Sequence, residues 1–127
     1  MLYAILCYHT EDVVMSWSQE EDTAVMTQLH KVHEKLAIQG RLGPVARLLP
    51  STTATTVRKS REPALVLDGP FAETKEQLLG FYVVECKSLT EALEAAQELG
   101  DANPGGAYEV RPIGLYKPGA LAAEKTA

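Results

Sequence analysis

Gly80-Phe81-Tyr82-Val83-Val84-Glu85-Cys86, followed at once by Lys87-Ser88-Leu89-Thr90-Glu91, marks where a strand ends and a helix begins in this chain. The first seven residues are largely aromatic or β-branched, which suits a pleated, half-buried surface, and the run is expected to be central in its sheet. Ser88 with Glu91 three residues on is the capping-box pattern, in which each side chain satisfies a free amide at a helix start. Ala92, Leu93, Ala96 and Leu99 then supply one apolar helical face, and Gly100 is the expected stop.

Downstream, Asp101-Ala102-Asn103-Pro104-Gly105-Gly106 has loop composition, and Ala107 to Tyr116 contains a last strand at Tyr108-Glu109-Val110-Arg111-Pro112-Ile113. Pro112 has no amide hydrogen, so its side of that strand is expected at an edge. Upstream, Ala64-Leu65-Val66-Leu67 is a short apolar strand ending in the turn-forming Asp68-Gly69-Pro70. The stretches Pro44 to Pro50 and Thr52 to Lys59 read as two short strands or a strand and a hairpin arm, with Lys59-Ser60-Arg61-Glu62-Pro63 as a link of hairpin length. Ser18-Gln19-Glu20-Glu21 is a second capping box. Val25, Leu29, Val32 and Leu36 follow it on one helical face, and Gly40 closes that helix. Residues 2–8 form the first strand, and residues 9–17 read as a polar link.

The resulting order is strand, helix, two or three strands, strand, helix, strand. It predicts an α+β fold: a ferredoxin-like split βαβ sandwich with an inserted β-hairpin, its antiparallel sheet carrying two main helices on one face. The other sheet face would expose apolar side chains, and pairing with a second copy would bury them, so a homodimer is expected. Residues 1–116 read as a single domain and 117–127 as a tail, either disordered or a short helix.

With 127 residues, 46% hydrophobic and 23% charged, the chain has the composition of a globular domain that buries its own core. Its net charge of −5 argues against direct nucleic-acid binding, which needs a surplus of Lys and Arg. Met1 to Tyr8 is apolar but has no basic flank and is too short to span a bilayer, so no membrane association is expected. The two cysteines, Cys7 and Cys86, lie in strand-like runs, and without a secretion signal they are expected to stay reduced in the cytoplasm.

Asp68 to Gln77 (Asp-Gly-Pro-Phe-Ala-Glu-Thr-Lys-Glu-Gln), with Gly80-Phe81-Tyr82, Gly105-Gly106, Glu109 to Ile113 and the upstream Ala54-Thr55-Thr56-Val57-Arg58, resembles the DGPF group of YCII-related proteins. The resemblance spans residues 2–116. It implies a dimeric ferredoxin-like fold, and it implies less about activity. Many relatives occur beside extracytoplasmic-function sigma factors, and one branch of the wider family includes a dehydrochlorinase acting on a chlorinated hydroxyquinol. That wider family is also associated with an active-site pair, a His on the first helix and an Asp. Counted back from Leu36 and Gly40, the helix His would fall near Leu29, whereas this chain has His30 and His33. The Asp corresponds loosely to Asp101, ahead of Pro104, and Leu79 stands where the group more often has Gly.

Asp68, at the end of an apolar strand, is a candidate functional carboxylate, set against a structural role accepting amides of its own turn. On a helical wheel His33 borders the apolar stripe, and His30 lies further round beside Met26 and Ala37. This half-polar flank would suit a cleft in which an imidazole moves a proton, or simply face solvent. Arg58 and Arg111 lie in strands, where a guanidinium pairs with a carboxylate or awaits an anionic ligand. Glu73 and Lys75 border the same loop as Phe71, which is expected to pin that loop onto the core. His9 is the remaining imidazole, and no metal site is expected. No phosphate loop, nucleophile elbow, dinucleotide fingerprint or zinc pattern is present, so no cofactor is expected.

Two readings of function follow, with a third beside them. The first is a homodimeric protein that binds a small molecule or a partner, with the Asp68 to Gln77 loop bordering a cleft and Phe71, Glu73, Lys75, Arg58 and Arg111 as binding residues. The second is a lyase or hydrolase of dehydrochlorinase type, in which His30 or His33 moves a proton and Asp68 orients it or carries charge. The third is a regulator that contacts a sigma factor.

Overall fold

Two serines open the two long helices. Ser18 accepts from the Glu21 amide at 3.0 Å while Glu21 accepts from the Ser18 amide at 3.2 Å, the reciprocal pair that the spacing predicts. Ser88 likewise accepts from the Glu91 amide at 3.2 Å, but Glu91 turns back to the Lys87 amide at 3.3 Å. The computed structural model describes residues 1–121; of the 117–127 tail, residues 117–121 carry no helix or strand, and the expectation for 122–127 lies outside the described residues.

The element order is β1 (Leu2–Thr10), α1 (Glu11–Met15), α2 (Gln19–Ile38), β2 (Leu42–Arg47), a 3₁₀ turn (Ser51–Thr53), β3 (Thr55–Arg58), β4 (Leu65–Asp68), β5 (Glu76–Glu85), α3 (Leu89–Ala102) and β6 (Ala107–Pro112). A four-stranded antiparallel sheet has the order β2-β5-β1-β6, so β5 is central and β6, which ends on Pro112, is an edge. The chain is therefore α+β with an antiparallel sheet, as the element pattern predicts.

Register explains where the core lies. Tyr3 stands opposite Val84 and Ile5 opposite Tyr82. These four, with Cys86, are buried under Leu29, Val32 and Leu36 of α2 and Ala92, Ala95, Ala96 and Leu99 of α3. Small alanines let α3 lie close to the sheet, while the branched side chains of α2 fill the remaining depth. Ala4, Leu6 and Tyr8 alternate onto the opposite face, where Phe81 and Val83 pair with Leu6 and Ala4.

Three expectations are corrected. Residues 9–17 are not a polar link, because β1 continues through His9 and Thr10, paired with Gln77 and Glu76, and α1 follows directly. For the same reason β5 begins at Glu76, four residues before the aromatic run. Phe71 does not pin its loop to the core: it is 72% exposed, because β4 pairs only with β3 in a separate two-stranded sheet and carries the loop away from the main sheet.

Candidate functional site

A register shift between Cys7 and Tyr8 creates the cleft. Cys7 faces Gly80 and Tyr8 faces Leu78, so β5 carries one extra residue, Leu79, at that point. Gly80 adds no side chain to the helix-facing side, and a Cβ there would come within 2.6 Å of the Ala46 carbonyl oxygen. Between this end of the sheet and α2 a cavity of about 120 Å³ remains, lined among others by Val25, Met26, Leu29, Val45, Tyr82 and Tyr108. That volume is close to the roughly 150 Å³ of an apolar protein cavity that takes up benzene, so the space suits a single ring.

The cavity has few polar groups. His33, half-buried on α2, places Nε2 3.0 Å from the Tyr82 hydroxyl, and their rings meet edge to face with centroids 5.2 Å apart. Burial, and secondarily the neighbouring His30, hold the His33 imidazole below its ordinary value. Burial also raises Tyr82, with smaller contributions from Tyr108 and Cys7. The Cys7 thiol and the Tyr108 phenol are each pushed up to about 12, again chiefly by burial, and Tyr108 accepts from the Asn103 amide at 2.9 Å. Cys7, Tyr82 and Tyr108 are thus uncharged at neutral pH and burial favours the neutral form of His33, which leaves the interior with hydrogen-bonding capacity and little charge.

His9 also lines this space. Its Nε2 lies 3.1 Å from the Pro104 carbonyl oxygen. A carbonyl only accepts, so Nε2 is the donor in this contact, and Nδ1 is left for another partner. That Nδ1 is buried with no partner among the described residues. Gly106 lies against the ring: a Cβ there would come 3.1 Å from its Cδ2, in a backbone conformation with φ +77° that disfavours any other residue.

An ion pair crosses the mouth. Arg47 of β2 donates from Nη2 to Asp22 of α2 at 3.2 Å and from Nη1 to the Met26 sulfur at 3.7 Å. Both residues line the inner cavity and a shallower outer groove formed with Met15, Leu48, Leu49 and Pro50. Glu11 of α1 holds the far side of that groove, accepting from the Ser51 amide at 2.7 Å and from the Ser51 hydroxyl.

The predicted site residues fall in three places: on α2, on the β3–β4 hairpin with the loop after it, and, for Arg111, on β6 opposite Ala4. His33 is in the cleft wall, and His30 is exposed beside it with ring centroids 5.8 Å apart. Asp68, Arg58 and Phe71 belong to the β3–β4 hairpin and its loop, where the Arg58 guanidinium lies 5.0 Å over the Phe71 ring. Among the described residues no hydrogen bond or ion pair joins Asp68 or Asp101 to either histidine, and neither Arg58 nor Arg111 has a carboxylate within ion-pair distance. Glu73 and Lys75 border a shallow surface depression with Gly69, Pro70 and Gln77. Among the described residues no group of three or more His, Cys, Asp or Glu is placed to hold a metal ion, and no helix is long and apolar enough to cross a membrane.

A model of the YCII-related domain matches residues 1–117, nearly the whole chain. The chain belongs to the YCII-related family. An uncharacterised protein of Rhizobium meliloti (strain 1021) is 59% identical over 122 residues, covering 95% of this chain and 98% of its own length. This YCII-related chain is therefore similar throughout to a protein of nearly the same extent.

Sequence reasoning missed Tyr82, His9, Arg47 and Asp22. For Tyr82 a signal existed: a tyrosine in a central strand that alternates onto the core face needs a partner for its hydroxyl. For Arg47 and Asp22 none did, because their pairing depends on how α2 crosses β2.

Proposed function

We propose that this YCII-related chain, of the DGPF type, is a homodimeric small-molecule-binding protein of the cytoplasm, and that its site is the cleft between α2 and the β1–β5 strand pair. The observation that carries the reading is the neutral His33–Tyr82 pair set in a ring-sized apolar cavity, a few polar groups in an otherwise greasy concavity. The pair can either donate or accept toward a ligand, depending on which partner holds the shared proton. The dimer draws support from the sheet face opposite the helices, where Leu6, Tyr8 and Phe81 are half-buried side by side. The strand order β2-β5-β1-β6 supports the ferredoxin-like arrangement.

Titration of the ¹⁵N-labelled protein with p-cresol tests the site. Shifts are expected at Cys7, Trp17, His33 and Tyr82, and Tyr82→Phe should weaken binding by about three- to tenfold, the worth of one hydrogen bond. Shifts scattered over the surface, or equal affinity in Tyr82→Phe, would remove the cleft as the site. Sedimentation equilibrium of the same protein tests the dimer, and a monomer at tens of micromolar would end that part of the proposal.

A further inference from the structure

The ion pair at the cleft mouth carries more than a structural role explains. Arg47 and Asp22 meet through one oxygen and one nitrogen at 3.2 Å, with side chains 57% and 40% exposed. Such a pair contributes little to stability, because water screens it and two long side chains must be held still. It nevertheless sits where the apolar cavity opens into the outer groove, lining both. Of the five N–H donors of the Arg47 guanidinium, the Asp22 carboxylate and the Met26 sulfur take two.

The strand register and the contacts with α2 together set this charged rim apart from the polar handle inside. Val45 pairs with Tyr82, and Arg47 pairs with Gly80, two residues along the same ladder. Asp22 and Met26, which hold the Arg47 guanidinium, precede His33 on α2 by eleven and seven residues, roughly 16 and 10 Å along the helix axis, a gap that a para-hydroxylated ring with its methylene and charged groups spans when hydrogen-bonded at both ends. Gly80 has no side chain to block the line between them.

A ligand that places its ring in the cavity therefore brings its next substituents to the ion pair. A ligand with a lone carboxylate would take Arg47 and leave Asp22 unpaired beside a second negative charge; a lone amine would do the converse. A group carrying both charges pairs both residues and leaves neither stranded. We infer that the cleft takes an aromatic α-amino acid in its zwitterionic form. Its carboxylate lies on Arg47, its ammonium on Asp22, its ring in the neutral cavity and a ring hydroxyl against the His33–Tyr82 pair.

This ligand class rests on the binding role proposed for the cleft, and four probes separate the two. L-tyrosine carries both charges, 3-(4-hydroxyphenyl)propionate only the carboxylate, tyramine only the ammonium, and p-cresol neither. Titration of the ¹⁵N-labelled full chain should give L-tyrosine the highest affinity, about tenfold above p-cresol, with the two singly charged probes between, as two exposed charge pairs of modest strength require. Arg47→Gln should bring L-tyrosine down to the level of tyramine, and Asp22→Asn down to that of the propionate. Both substitutions are at half-exposed side chains, and the spectra of the free variants report whether the fold is kept. If p-cresol binds as tightly as L-tyrosine, or a singly charged probe binds more tightly, the amino-acid reading is overturned while the cleft remains a binding site. If L-tyrosine leads but neither substitution lowers it, the assignment of its charges is overturned. If no probe shifts the cleft resonances, both readings fall.

Discussion

The two ends of the β1–β5 strand pair share one ladder and serve opposite ends. At the first, Tyr3 and Ile5 stand beside Val84 and Tyr82 and are sealed by Leu36 and Leu99, with Ile5, Val84 and Leu99 wholly buried. At the second, Cys7 faces a glycine, an extra residue interrupts the register, and α2 sets Met26 and His33 beside Leu29. The comparison shows that the cleft needs no elaborate loop. One missing side chain and one inserted residue turn a continuous core into a cavity.

Ile5 and Cys7 put this contrast to its strongest test, since they are neighbours on the same face of one strand. Ile5→Ala should lower the unfolding free energy by about 2–5 kcal/mol, because the surrounding core relaxes only in part around the lost atoms. Cys7→Ala, at the cleft end, should cost about 1 kcal/mol or less, close to the transfer cost of the few atoms removed. Urea unfolding of both variants measures the difference. Equal losses would mean that the cleft end is packed as tightly as the core and would break the comparison.

Gly80 sharpens it next. In Gly80→Ala the new Cβ would come within 2.6 Å of the Ala46 carbonyl oxygen, a backbone atom, so β2 must move away. A loss of about 1–3 kcal/mol is expected, the usual cost of forcing extra atoms into a fitted site. The displaced β2 also carries Arg47 and Val45, so p-cresol affinity should fall with stability. Unchanged stability and affinity together would show that Gly80 is not what holds the cleft open.

Much of this fold was legible in local chemistry. The serine caps at Ser18 and Ser88, the three- and four-residue spacing of Leu29, Val32 and Leu36, and the β-rich run from Gly80 to Cys86 each mark an element by its own residues. What was hidden depends on partners remote in sequence. His9 and Thr10 look like loop residues until Gln77 and Glu76 pair with them, and α1 is a single turn too short to show a period. The site divides the same way. The place of His33 at the border of an apolar stripe could be read from the helix alone, whereas its contact with Tyr82 spans 49 positions. The segment Asp68 to Gln77 gave the family, but only its last two residues join the main sheet; the rest follows the exposed β3–β4 hairpin, and its Phe71 meets Arg58 and not the core.

The smallest expected effect is the pH dependence that His33 confers on the cleft end. Its folded value lies below the ordinary 6.5, through burial and then His30. Between the folded and unfolded values the unfolded chain holds more protons than the folded one, so stability rises with pH across that window. His33 therefore favours the fold fully above about 6.5 and loses that contribution as pH falls toward its folded value, below which the curve flattens. The buried side chains of the core end, Tyr3, Ile5, Leu36, Val84 and Leu99, include no imidazole or carboxyl. Urea midpoints between pH 5 and 8 for the wild type and His33→Gln should differ in slope, the variant being flatter on the acid side. Parallel curves would mean that the imidazole is as well hydrated as in an unfolded chain, and the cleft would then lose its claim to a dry, neutral wall.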